Sequence, residues 1–315
     1  MPSKIGYLQR YLIIIQQVRR NKYISMNELI NTVQYNISLY DDREKIGISE
    51  RTIRRDLKEI RDELGLSIRY SKAENGYYID ESEDDGESYI ERMLEPLNLL
   101  GAWYMDKNLP NFLFAEKRKS KGMENLTPLI YAIKNSMITE FLYLKYDNSS
   151  QHTRKVEPYA LKEFKGRWYL LAMEIGGRIE EKGCIKTWGL DRIQDLYVTH
   201  NRFWKKPEFD VEKEFTDAFG IFSDRDKEAE EVILSFTPMG GKYNESFPLH
   251  ESQETLIDNE HEFRIRLRVK LTYDFIMELL SQSDNMKVIA PLHLKDKLID
   301  IHNEAIKMLK ADKKY

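Results

Sequence analysis

The amino-acid sequence predicts a multidomain α+β protein, for three reasons. The apolar period is helical as far as about residue 137 and changes to two from Ile138, so helices and strands fall in separate blocks. An acidic run, ESEDDGESYIE (Glu81–Glu91), closes off a weakly basic head. Residues 1–80 hold 14 Lys/Arg against 11 Asp/Glu, although the whole chain of 315 residues carries −4. Such a length makes two or three cores the expectation.

The head reads as three helices and a hairpin. Tyr7, Leu8, Tyr11, Leu12, Ile15 and Val18 share one face of a first helix that ends near Arg19-Arg20-Asn21. Ser25-x-x-Glu28 is a capping box, and Ile24 with Leu29 a hydrophobic staple, for a second helix carrying Met26, Leu29, Ile30 and Val33. A long connection containing Tyr40 and DDREK leads to ISERTIRRDLKEIRDEL (Ile48–Leu64), with Ser49 as N-cap and Gly65 beyond its end. Within it Ile53, Leu57, Ile60 and Leu64 form the expected buried stripe. Arg51, Thr52, Arg54, Arg55 and Lys58 face outward, and Glu50, Asp56, Glu59, Asp62 and Glu63 balance their charge. Leu66–Tyr70 and Tyr77–Ile79 read as two strands joined at Asn75-Gly76, with Arg69 and Lys72 on this wing.

Residues 88–138 are helical in pattern, densest at Met93, Leu94, Leu97, Leu99 and Leu100. They suit a connector or dimerisation element, broken by the basic stretch Glu116–Asn125 before a helix around Leu129–Met137. Five short strands follow: Phe141–Tyr146, Arg154–Phe164, Arg167–Ile175, Cys184–Leu190 and Asp195–Asn201. Five strands in so few residues suggest a small SH3-like or Sm-like barrel. After a linker with a helix near Val211–Phe219, strands at Glu231–Phe236, His261–Lys270 and Met286–Ala290 alternate with helices at Tyr273–Gln282 and Leu292–Lys310. That alternation fits a ferredoxin-like domain. The expected organisation is a winged helix-turn-helix over 1–80, an acidic linker and helical connector over 81–125, the β-barrel over 126–205, and a linker with the α+β domain over 206–315.

The outward residues of the third helix point to nucleic acid. Arginine forks match guanine edges and phosphates, threonine can touch a thymine methyl, and a helix of this kind fits a major groove. The alternative is an exposed helix with a mixed-charge face. In the barrel, Trp168, Leu170 and Ala172 share one strand face and Tyr169, Leu171 and Met173 the other, so one set is expected to be core. Arg154, Lys186 and Arg192 come from three strands or strand ends. If they converge they form an anion site flanked by tyrosines; otherwise they are scattered solvated charges.

Several classes find no support. No apolar run approaches the ~18–20 residues of a membrane span, and the start lacks a signal-peptide pattern. A single cysteine, Cys184, expected as a buried strand residue, excludes an intrachain disulfide and a multi-cysteine zinc site. The six histidines are dispersed, with His250 and His261 expected at the surface. There is no phosphate-cradling P-loop, HExxH or Gly-x-Ser-x-Gly. The expectation is therefore a cytoplasmic protein with no catalytic residues, metal or cofactor.

Taken in order, SERTIRRDL (Ser49–Leu57), RKVEPYAL (Arg154–Leu161), GRWYLLA (Gly166–Ala172), GLDRI (Gly189–Ile193) and MKVIAPLHLK (Met286–Lys295) resemble the WYL-domain transcriptional regulators of bacteria. The third domain resembles the family's C-terminal extension, WCX. The resemblance implies a homodimeric DNA-binding regulator whose barrel senses a ligand. Position by position, it places the sensor face on Tyr146, Arg154, Trp168, Tyr169 and Arg192. Lys186 stands where the family commonly has arginine, keeping the charge but losing the bidentate fork.

The leading expectation is a ligand-responsive regulator, a repressor sooner than an activator. A homodimer would read a double-stranded operator through Ser49, Arg51, Thr52, Arg54, Arg55, Lys58, Arg69 and Lys72. It would sense an unidentified anionic ligand, a nucleotide or oligonucleotide, through the barrel. The alternative is a nucleic-acid-binding accessory protein that modulates a nuclease or defence system without an operator of its own.

Overall fold

An apolar stripe on each of three helices builds the first core. In the computed structural model, which describes residues 4–38, 48–80, 118, 120–146, 152–176, 184–205, 210–224 and 226–311, α1 is Lys4–Arg20, α2 is Met26–Ser38 and α3 is Glu50–Leu64. Tyr11, Leu12, Ile14, Ile15 and Val18 of α1 pack with Leu29 and Val33 of α2 and Ile53, Leu57 and Ile60 of α3. The capping box forms as its residues dictate: the Ser25 amide donates to Glu28 Oε2 at 2.9 Å and the Glu28 amide to Ser25 Oγ at 3.3 Å. These bonds hold the Glu28 carboxyl below its usual range. The connection at 39–47 and the connector at 81–117 lie outside the described residues.

The hairpin is β1 (Ile68–Ser71) and β2 (Gly76–Ile79), with Asn75 at φ 51° making the turn. Ile24, from the α1–α2 turn, bridges to Tyr77 through two backbone bonds of 3.0 and 2.7 Å. A Cβ at Gly76 would stand 2.4 Å from the Tyr23 carbonyl, so glycine is what lets the two backbones meet.

The chain divides into two compact units, Met1–Lys117 and Arg118–Tyr315. The second opens with a 3₁₀ turn (Met123–Asn125) and α4 (Leu126–Lys134). The helix ends short of the expected Met137, because Ser136 takes φ 51° and Met137 already opens β3. Strands β3 (Met137–Tyr143), β4 (His152–Phe164), β5 (Arg167–Glu174), β6 (Ile185–Gly189) and β7 (Ile193–Arg202) form one antiparallel sheet in the order β6-β5-β4-β3-β7. Its edges β6 and β7 are joined by a 3₁₀ turn, Leu190–Arg192. Both faces are covered, where the sequence suggested one. Leu170 and Ala172 pack with Phe141, Val156 and Trp188, while Leu171 meets Phe215 and Ala218, and Met173 meets Tyr159 and Phe203. Cys184 is half-buried and immediately precedes β6, not within it.

The segment expected to be a linker is a bracket. Its short helix α5 (Val211–Phe215) covers the sheet, Ala218 pairs with Lys270, and the Ile221 amide donates to Asp274 Oδ2 at 2.7 Å. Beyond it, β8 (Glu230–Phe236), α6 (Pro238–Ser246), β9 (Glu254–Asp258), β10 (Phe263–Val269), α7 (Tyr273–Ser281), β11 (Met286–Ala290) and α8 (Leu292–Lys310) follow. The strands pair antiparallel in the order β11-β8-β10-β9. His250 is half-buried, contrary to the surface position expected of it. Its Nε2 lies 2.9 Å from the Thr216 carbonyl and its Nδ1 2.8 Å from Ser252 Oγ. His261 is exposed. Among the described residues no helix is long and apolar enough to cross a membrane.

Candidate nucleic-acid interface and anion site

The basic helix α3 is fixed at both ends. Ser49 sits extended (φ −86°, ψ 154°) and its hydroxyl accepts from the Thr52 amide at 3.3 Å, while Gly65 in the left-handed region donates to the Arg61 carbonyl. Ser49 and Thr52 share a second contact, hydroxyl to hydroxyl at 3.0 Å, so both are spent on the cap. Leu64 is exposed and not part of the stripe; Leu66, past the Gly65 turn, is fully buried and closes the core instead.

Asp56 also departs from the mixed-charge surface face. It is fully buried and receives Arg10 of α1 through two bonds, Nε at 2.6 Å and Nη2 at 3.1 Å. A fork of this kind fixes direction as well as distance, so it sets the roll of α3 against α1. Tyr11 of α1 donates its hydroxyl to Glu59 beside the fork, and burial followed by that contact pushes the phenol up.

With Ile53, Asp56, Leu57 and Ile60 inward, the helical period leaves Arg51, Arg55 and Lys58 at the centre of the outer face. Arg51 and Lys58 are exposed and have no acidic partner among the described residues. Arg54 is held by Glu50 at 2.6 Å, and Arg55 lies 3.5 Å from Asp56 and 3.7 Å from Glu59. The Arg54–Glu50 and Arg55–Glu59 pairs are exposed, and such pairs are worth ~0–1 kcal/mol. Arg54, Lys58 and Arg61 then line a cleft of about 740 Å³ against Arg69, Tyr70 and Tyr77 of the hairpin. Arg69 is paired with Asp80 at 3.0 Å, and Lys72 is exposed in the turn. Tyr70 donates to Asn75 at 2.5 Å and packs on Tyr77 at 5.1 Å, which stiffens the hairpin.

In the second unit, the strand registers bring the predicted cations to one end of one sheet face. Arg154 of β4 and Lys186 of β6 converge on Glu174 of β5, at 2.6 and 2.5 Å to its two carboxylate oxygens. Burial alone would raise the Glu174 carboxyl; the bonds from Lys186 and Arg154 outweigh it and hold the group below 4.5. The Arg154 guanidinium lies 5.9 Å from the Trp188 ring. Trp188 stands edge-on to Tyr143 at 4.8 Å, and Arg192 lies between the rings of Tyr143 and Tyr146 at 4.8 and 4.7 Å. A continuous path of rings and guanidinium groups therefore joins Arg154 to Arg192. Arg167 extends it, hydrogen-bonded to Tyr146 and 3.8 Å from Asp191.

The 3₁₀ turn that presents Arg192 is clamped from behind. The Asn125 amide group donates to the Ile193 carbonyl at 3.1 Å, and Gly122, at φ 80°, lies so close that a Cβ would meet the Leu190 carbonyl at 2.1 Å. Three buried donors in the cluster have no hydrogen-bond partner among the described residues: Arg154 Nε, Arg192 Nε and Trp188 Nε1. An unmet buried donor costs about 1–3 kcal/mol.

Tyr146, Arg154, Lys186 and Arg192 thus come together. Trp168 shares their sheet face but packs, half-buried, into the core. Tyr169 lies on the opposite face, its phenol raised by burial. Trp168 and Tyr169 therefore do not line one pocket, as alternation along a strand requires. Sequence reasoning missed Tyr143, Glu174 and Trp188. The signal lay in the period of two: Glu174 ends the stripe Trp168-Leu170-Ala172, and Trp188 follows Lys186 on the same face. Among the described residues no group of His, Cys, Asp and Glu is placed to hold a metal.

The chain thus carries a basic helix–hairpin unit and a five-stranded sheet with a cationic, aromatic-lined end. Residues 124–198 match the WYL domain. Among solved structures it is similar to proteasome accessory factor B/C (PafBC) of Arthrobacter aurescens, at 16% identity and a TM-score of 0.31, over 93% of this chain and 46% of that one. It is also similar to a CRISPR Cas-related protein, at 12% identity and a TM-score of 0.39, over 97% of this chain and 84% of that one. This chain therefore spans less than half the length of the first. A comparison with curated proteins returns no match.

Proposed function

We propose that the protein is a ligand-responsive, DNA-binding transcriptional regulator without enzymatic activity, acting in the cytoplasm as a homodimer and as a repressor. The observation that carries this reading is the outer face of α3: Arg51 and Lys58 at its centre, without an acidic partner among the described residues, and Arg54 and Arg55 exposed beside a basic hairpin cleft. On this reading the first unit is a winged helix-turn-helix, and the second a WYL barrel of SH3/Sm type followed by a ferredoxin-like WCX domain. Arg51, Arg54, Arg55 and Lys58 enter a major groove, while Arg69 and Lys72 follow the backbone. Ser49 and Thr52 hold the helix start against the phosphates. Two copies read half-sites about one or two turns of ~34 Å apart.

The cluster around Arg154, Lys186 and Arg192 takes an anionic ligand, a nucleotide or an oligonucleotide, with rings for its bases. Ligand shifts the head between states of different operator affinity. A gel-shift titration with the DNA flanking its own gene tests the reading. Saturable binding at one site, resistant to competitor and altered by Arg192→Ala only in its ligand response, is expected. Equal affinity for any sequence or single strand would favour an accessory nucleic-acid-binding protein instead.

A further inference from the structure

The proposed anion site already holds an anion, and it belongs to the chain. Glu174 is nearly buried, and its two oxygens bridge Arg154 Nη1 and Lys186 Nζ as a bound oxyanion would. The Arg154 contact uses one terminal nitrogen, leaving its buried Nε unmet, and the buried Nε of Arg192 is unmet as well. Among the described residues, Arg154, Lys186 and Arg192 gather here with Glu174 and, beside Arg192, Asp191, and the Nε donors of Arg154 and Arg192 stay unmet. An incoming group of one negative charge could replace Glu174 only by exchanging one charge for another. It would do so against a carboxylate that the backbone keeps in place, at high effective concentration. A phosphoryl group of two charges gains where a phosphodiester does not, since it offers more oxygens to the unmet donors and a second charge to Arg192.

Resting on the reading of this cluster as a ligand site, we propose that Glu174 is its specificity-determining residue, a tethered competitor that reserves the site for a dianionic phosphomonoester or diphosphate end over a phosphodiester or carboxylate. When such a ligand binds, Arg154 and Lys186 pass from Glu174 to the phosphoryl oxygens, Arg192 completes the contact from between Tyr143 and Tyr146, and no covalent bond changes. The freed carboxylate lies at the end of β5, where the Ile175 amide bonds Lys155 of β4, so the exchange is felt at the β4–β5 margin.

The test measures binding of inorganic pyrophosphate, and of a short oligothymidylate with and without a 5′-phosphate, to the full chain and its variants. The wild type is expected to bind pyrophosphate, and to bind the 5′-phosphorylated strand about tenfold or more tightly than the 5′-hydroxyl strand, the scale of one close charge–charge contact. Glu174→Gln is expected to bind both strands tightly, with the ratio falling toward one. Should that variant fail to fold, Glu174→Gln with Lys186→Gln removes one charge of each sign and still leaves Arg154 unclaimed; the same fall in ratio is expected. A wild type that binds both strands alike, or a ratio unchanged without Glu174, overturns the proposal while leaving the anion site standing. Binding that ignores Arg192→Ala, or no binding of any probe to any variant, overturns the site and the proposal together.

Discussion

Asp56→Ala tests whether the outer, basic side of α3 is set from inside the first unit. The substitution leaves Arg10, 8% exposed, without the two bonds of 2.6 and 3.1 Å it makes to a fully buried carboxylate. An exposed pair would be worth ~0–1 kcal/mol. Breaking a buried one by removing a single partner costs about 3–5 kcal/mol, because the remaining charge stays desolvated and loses its bidentate carboxylate. The burial of Asp56 selects the larger figure. At a factor of ten per ~1.4 kcal/mol, amide protection in α1 and α3 should fall by roughly two to three and a half orders of magnitude. Native-state hydrogen exchange on the full chain reads these helices separately from the second unit. Arg10→Met with Asp56→Leu should return protection to wild type or above, since both desolvation penalties vanish together. Wild-type protection in Asp56→Ala would refute the reasoning and leave the apolar stripe alone to orient the helix.

Three further outcomes are expected. Arg51→Ala should weaken operator binding by about 1–3 kcal/mol and relax sequence preference, whereas Lys58→Ala should reduce the salt slope by about one; a fluorescence-anisotropy titration across salt concentrations separates them, and unchanged values for both would move the interface off α3. Gly122→Ala places a Cβ 2.1 Å from the Leu190 carbonyl at a backbone angle that disfavours it, so thermal unfolding should drop by at least ~1–3 kcal/mol equivalent and the Arg192 turn should shift; wild-type stability and pyrophosphate binding would contradict the clamp. The Glu174 carboxyl lies below 4.5 in the folded protein, so its stabilising pairs are fully present above pH 4.5 and are lost as pH falls through the folded value. Melting temperature against pH should therefore decline below about pH 4.5, less so in Glu174→Gln, and an identical acid limb in the variant would count against the pairs.

Much of the first unit was legible because local signals and core agree there. The Ser25 box, the Ser49 cap, Asn75-Gly76 and Gly65 each state one backbone requirement, and the chain meets them. What failed was charge on an apolar face. Asp56 sits among Ile53, Leu57 and Ile60 at helical spacing, yet its partner, Arg10, is 46 positions away and no spacing links the two. The second unit shows the same limit. The period of two located five strands, but only the register places Glu174 between Arg154 and Lys186. In the last domain the sequence suggests a helical or irregular turn only at Asn244–Phe247, and the start of α6 and the whole of β9 hid for local reasons. Pro238-Met-Gly-Gly offers poor helix propensity, its start being held by the Thr237 cap, and β9 is an exposed edge strand without alternation.

Genome-wide mapping of DNA bound by the wild type and by Arg51→Ala with Lys58→Ala tests the central claim most directly. A small set of discrete wild-type sites sharing a pseudo-palindromic motif, lost in the double variant while the protein stays folded, is the result this account predicts. Diffuse binding without a shared motif, or the same discrete sites in both proteins, would contradict it.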